Sequence, residues 1–104
     1  MNEISDSPIR LDLNNPIFQR ILFDFSKSDQ RKVLNTLSKL AKMTWHKLYS
    51  DRGLNWEAIL SQSGPKGSRL YSFRIGKGFR GIAYREGNWL RALSLHPDHD
   101  SAYR

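Results

Sequence analysis

The spacing of apolar and polar positions changes period twice along the chain. "PIRLDLNN" alternates Ile9, Leu11 and Leu13 against Arg10 and Asp12, the period of a half-buried strand. In "NNPIFQRILFDF" the spacing lengthens: Ile17, Phe18, Ile21, Leu22 and Phe25 fall on one helical stripe, with Asn15 placed to cap and Pro16 at the first helical position. A second helix follows, capped by Ser26 or Ser28 and carrying Asp29 in its first turn. Its apolar stripe runs through Val33, Leu34, Leu37, Leu40, Ala41, Trp45 and Leu48, while Lys32, Lys39, Lys42 and His46 lie toward the other side. That spacing predicts an amphipathic helix of about six turns, ending near "SDRG" with Gly53 as the stop.

Beyond Gly53 the period returns to that of strands. Leu54, Trp56 and Ile59 form either a short strand or a turn of helix, and "SQSGPKGS" reads as a loop from its glycine, proline and serine content. Three strand candidates follow, "RLYSFRI", "FRGIAYR" and "WLRALSLH", joined by the hairpin-length connections "GKG" and "EGN". The order strand, helix, helix, then hairpin-linked strands predicts an α+β fold. In it the N-terminal strand and two helices pack on one face of an antiparallel sheet of three to four strands, all in a single domain spanning 1–104. The other face of the sheet stays open, and function is expected there.

A three-residue Gly76-Lys77-Gly78 loop sets Ile75 against Phe79, Phe73 against Gly81 and Tyr71 against Ala83 toward the helices. It puts Arg74 directly across from Arg80 on the open face, beside Ser72 and Ile82. Two opposed arginines repel unless an anion lies between them, which points to a phosphate site. For the next hairpin a three-residue Glu86-Gly87-Asn88 loop is favoured because it turns Leu93 and Leu95 toward the helices. Ser94 is then expected opposite Arg80, and His96 on the arginine face. A two-residue Gly87-Asn88 loop would invert the faces and expose both leucines.

Charge sharpens this picture. Residues 1–30 carry five acids against three bases, so of the chain's net +7 a surplus of +9 resides in residues 31–104. Such segregation favours a polyanionic partner, most simply nucleic acid, though an acidic protein satisfies it equally. The 104 residues contain no cysteine, which removes disulfides and thiolate metal sites. No apolar run is long enough to span a bilayer, and "MNEISDSPIR" lacks the features of a signal peptide, so a cytoplasmic protein without membrane association is expected.

The chain closes on "SLHPDHDSAYR". Pro97 ends a strand, and the tail after it can curl over the arginine face, bringing His99 and Tyr103 toward Arg74, Arg80 and His96. Histidine titrates near pH 6.5 and is the natural general acid or base at neutral pH. A metal site built from His96, Asp98, His99 and Asp100 is disfavoured, because ligands that close in sequence need another from elsewhere and His46 is the one remaining histidine.

In element order, and above all in "LYSFRIGKGFRGIAYREGNWLRALSLHPDHDSAY", the chain resembles the RelE/ParE superfamily of bacterial toxins from toxin–antitoxin modules. The shared pattern is a "Y-x-x-[RK]-x" strand, an "[FY]-R-x-x-[YF]" strand and a tail ending in tyrosine. RelE-like members are ribosome-dependent endoribonucleases that cut mRNA in the decoding site and are held inactive by an antitoxin. The resemblance therefore implies that Arg74 and Arg80 bind phosphate and the transition state, that His96, His99 and Tyr103 are candidates for proton transfer, and that no metal or other cofactor is needed. It further implies ribosome and mRNA contacts, for which Lys32, Lys39, Lys42, Lys77 and Arg85 are candidates. A monomeric toxin paired with an acidic antitoxin is expected. Where some RelE-type members have a lysine two residues before the Arg74 position, this chain has Ser72, which favours the histidine-and-tyrosine style of other ribosome-dependent branches. Two further readings stand beside this one: a ParE-like poison of DNA gyrase, and a non-catalytic RNA-binding module whose exposed aromatics stack bases.

Overall fold

The computed structural model describes residues 6–97. A short strand, β1 (Arg10–Asp12), leads into helices α1 (Pro16–Asp24), α2 (Lys27–Ala41) and α3 (Trp45–Ser50). Four strands follow: β2 (Glu57–Ser63), β3 (Arg69–Gly76), β4 (Phe79–Glu86) and β5 (Trp89–His96). The strands form one sheet in the order β1-β5-β4-β3-β2. The helices cover one face, as the periodicity predicts, but the sheet has five strands, and β1 runs parallel to β5 rather than antiparallel. The fifth strand is "EAILSQS": it begins in the stretch whose sequence admits either strand or helix and continues through Ser61, Gln62 and Ser63, which the sequence assigns to the loop; it pairs antiparallel with β3 and forms an edge.

Local chemistry sets the helix ends. Asn15 Oδ1 accepts from the N–H groups of Ile17 and Phe18, and Ser26, not Ser28, caps α2 by accepting from Asp29 N–H. The expected six-turn helix is broken. Ile9 N–H donates to Met43 O at 3.0 Å and Trp45 N–H to Ser7 O at 2.9 Å, so the incoming N-terminal segment draws residues 42–44 out of helical geometry. Thr44 then caps a new helix through Lys47 N–H. Trp45 and Leu48 stay in phase with the stripe of α2, which is why the period alone conceals the break. α3 ends at Ser50, ahead of Gly53, with Asp51 as its cap.

The core lies between the sheet and the three helices. Phe18, Leu22, Val33, Leu37, Leu40, Trp45 and Leu48 meet Phe73, Phe79, Ala83, Leu90, Ala92 and Leu95. Ile17 and Leu34, assigned to the apolar stripes by spacing, are more than half exposed. Trp56 stacks on Tyr71 with ring centroids 4.7 Å apart and meets Trp45 edge-on at 5.7 Å, pinning the start of β2 to the helical side. β1 is held to β5 on the other face: Arg91 donates from Nη1 to Asp12 Oδ2 at 2.6 Å and from Nε to Glu86 Oε1 at 2.7 Å.

Candidate RNA-binding and catalytic face

Both central hairpins have two-residue turns, and each is followed or preceded by an irregularity that restores the expected face. In β3–β4, Arg74 pairs with Arg80, Phe73 with Gly81 and Tyr71 with Ala83, as predicted. The partner of Phe79 is Gly76, however, and Ile75 stands unpaired as a bulge, since the turn is Lys77-Gly78 with Gly78 at φ 70°. The opposition of Phe73 and Gly81 is steric: a Cβ on Gly81 would stand 2.2 Å from Phe73 Cζ, so the ring occupies the space a side chain would need.

The β4–β5 hairpin corrects the sequence reading. Glu86 pairs with Trp89 across a two-residue Gly87-Asn88 turn, with Gly87 at φ 63°. Ala83 then meets Ala92 while Ile82 meets Ser94, so Leu93 has no partner and forms a β-bulge. The bulge shifts the rest of the strand by one residue, which undoes the inversion that a two-residue turn would otherwise impose. Leu95 is buried against the helices as expected, Leu93 is only half-buried at the bulge, and Ser94 faces Ile82 rather than Arg80. His96 is the residue opposite Arg80.

Two rows of side chains therefore cross the open face. One runs Glu57, Ser72, Ile82, Ser94 over β2, β3, β4 and β5; the other runs Arg74, Arg80, His96 over β3, β4 and β5. Neighbouring strands lie about 4.8 Å apart, so the second row sets two guanidinium groups and an imidazole within roughly 10 Å of strand spacing. Asn55, Ser72, Arg74 and Arg80 line a cleft at its β3–β4 part, with Gly78 at the hairpin end. Asn55 adopts φ 47° and donates from Nδ2 to Glu57 Oε1 at 3.5 Å, and Glu57 stands across from Ser72 in the first row. Glu57 and Asn55 are site neighbours that the sequence reading missed. The polar–apolar alternation of "NWEA" held the signal, once Trp56 is fixed on the helical side.

His96 ends β5 immediately before Pro97, which cannot extend the ladder. It is half-buried, and burial pushes its pKa below the ordinary histidine value, favouring the neutral ring. Ser94 Oγ lies 3.1 Å from its Nε2. His99 and Tyr103, the other candidates for proton transfer, lie outside the described residues, as do Asp98 and Asp100. His46 sits on α3 beside Trp45, whose indole N–H donates to Asn88 O. That is the opposite end of β5 from His96, roughly 20 Å along the strand.

The five basic candidates divide between two regions. Lys32 approaches the β3–β4 hairpin, its Cδ 4.0 Å from where a Cβ on Gly76 would stand, and Lys77 is in that turn, so both rim the arginine end of the sheet. Lys39 pairs with Asp51 at 3.5 Å, and Lys42 caps the far end of α2. Arg85 lies on the helical side, its guanidinium 4.2 Å above the Trp45 ring and bonded to Tyr49 Oη and Gly87 O.

No protein-family model and no curated protein sequence matches this chain. Among solved structures, the archaeal RelE-RelB complex from Pyrococcus horikoshii OT3 matches with a TM-score of 0.57 over 88% of this chain and 94% of that one, at 16% identity. The fold is RelE-like. It combines an N-terminal strand, helices on one face and a mixed five-stranded sheet, and it leaves the arginine face uncovered among the described residues. Among those residues no helix is long and apolar enough to cross a membrane.

Proposed function

We propose that the chain is a RelE-like toxin that cuts mRNA on the ribosome through the RNA's own 2′-hydroxyl, and that an acidic antitoxin restrains it. The observation that carries this reading is the Arg74–Arg80–His96 row on the open face of a RelE-like sheet. Cleavage through the 2′-hydroxyl needs a base for that proton, cations for the charge gathering on the phosphorus oxygens, and an acid for the departing 5′-oxygen. Arg74 and Arg80 suit the second task, since guanidinium binds phosphate oxygens in bidentate fashion and stays charged at any relevant pH. His96, kept mostly neutral by burial, suits a proton task, a role worth about 10²–10⁴-fold in rate. Glu57, His99 and Tyr103 are the candidates for the complementary one. The charge on residues 31–104 supports docking to a polyanion, and the solved neighbour, a complex with RelB, supports a protein antitoxin.

The test is induction of the chain in growing cells with primer extension on a reporter mRNA. Growth arrest and cuts inside translated codons are expected, with purified RNA cut poorly unless ribosomes are added. Intact messages under full induction, or ribosome-independent cutting of naked RNA, would each defeat the reading.

A further inference from the structure

Ser94 and His96 are two residues apart on β5 and share a face, and the bulge at Leu93 makes that face the one bearing the arginines. The half-buried Ser94 hydroxyl is 3.1 Å from His96 Nε2. Among the described residues, the positions next to it along the row are cationic: Arg80 stands directly across on β4, with Arg74 beyond it on β3. β1 pairs with β5 only at Trp89, Leu90 and Arg91, and so stops short of the histidine, while α1 packs against β5 from the helical side.

We propose that Ser94 is a positioning residue for His96. Its hydroxyl accepts a hydrogen bond from Nε2–H, fixes the ring on the open face, and leaves Nδ1 as the nitrogen that exchanges a proton with RNA. The inference rests on the RNA-cutting reading for its substrate but not for its geometry. A proton taken from a 2′-hydroxyl goes to Nδ1 and makes the imidazolium; a proton given to the departing 5′-oxygen leaves from Nδ1 and restores the neutral ring. Nε2–H donates to Ser94 in both states, so the bond persists through the cycle. The reverse arrangement, with Ser94 donating to a bare Nε2, would break each time the ring charged, because both nitrogens of imidazolium carry hydrogen. Serine also brings no charge. A carboxylate in its place would raise the ring's proton affinity, whereas the hydroxyl orients the ring and leaves burial to keep it neutral.

Nitrogen-15 NMR of the His96 ring above its titration range tests the geometry whether or not the chain cuts RNA. The neutral ring is expected as the Nε2–H tautomer in the wild type and in Ser94→Thr, and as a mixture of tautomers in Ser94→Ala. An Nδ1–H tautomer in the wild type, or spectra unchanged by Ser94→Ala, would overturn the inference. Single-turnover cleavage on programmed ribosomes tests the consequence. Ser94→Ala should slow the chemical step roughly tenfold, the scale of one neutral hydrogen bond, with ribosome affinity unchanged and the loss largely recovered in Ser94→Thr. If the wild type does not cut RNA but the tautomer pattern holds, the functional reading falls and the positioning stands. If the wild type cuts and Ser94→Ala matches it in both rate and tautomer, the positioning falls alone.

Discussion

Arg80 occupies the middle of a cross-strand row, flanked by Arg74 and His96, so its removal should be felt in both binding and turnover. Arg80→Ala is expected to lower single-turnover cleavage on ribosomes by about 10²-fold or more, the usual scale for a lost donor to developing negative charge, and to weaken ribosome binding as well. His96→Gln should spare binding and still cost about 10²-fold in the chemical step. Growth arrest by both variants at wild-type level would remove the row from the mechanism. His96 also makes a stability prediction. Burial lowers its folded pKa, so the unfolded chain binds the proton more readily, and stability is full above the unfolded value near 6.5 and falls as pH drops through the folded one. In urea titrations at a series of pH values, wild type should lose more stability than His96→Gln between pH 7 and pH 5. Parallel losses in the two proteins would count against a buried neutral ring. The arginine pair and the histidine's face were legible in the sequence because strand alternation ties Arg74, Arg80 and His96 to the apolar residues between them. Glu57 was not, since its side depends on where Trp56 stacks, and that is settled by Trp45 and Tyr71 from distant parts of the chain.

Among the elements, β3 and β4 are locked by complementary size. Gly81→Ala would drive a methyl group into the Phe73 ring, and the overpacking should cost about 1–3 kcal/mol in chemical denaturation; a variant as stable as wild type would show that Phe73 has room to move. β1 adds polar contacts to the packing of Leu11, with the Asp12 pKa held below its ordinary value by Arg91 and by Asn14 N–H. Asp12→Asn should therefore loosen β1 and speed amide exchange at Arg10, whose N–H donates to Asn88 O, more than in β4. Helices and strands were readable wherever one period ran uninterrupted, as in α1 and β3. The break between α2 and α3 was not, because Thr44 caps a new helix only when the segment around Ser7 and Ile9 arrives to bond residues 43 and 45, a contact that no local spacing encodes. The turn at 87–88 was misread for a related reason: burial of Leu95 was the correct criterion, but a bulge satisfies it as well as a longer loop does.

Over the whole molecule, basic charge is concentrated after residue 30, and Lys32 and Lys77 carry part of it to the rim of the arginine end. Ribosome or RNA binding should weaken steeply with salt, and Lys32→Ala or Lys77→Ala should each reduce the slope of log affinity against log salt by up to about one phosphate contact, roughly 0.7–0.9. Equal slopes in variant and wild type would place the anion elsewhere. The Leu93 bulge has a consequence for how this chain tolerates change in length. In a regular strand, losing one residue turns over every side chain downstream. Here Leu93 is the residue without a partner, so its deletion leaves Ala92 opposite Ala83 and Ser94 opposite Ile82, now in an unbroken ladder. The histidine would keep its side of the sheet through that deletion, because the residue lost is the one without a partner. β5 thus holds one spare position, where the chain can shorten without moving its chemistry to the other face.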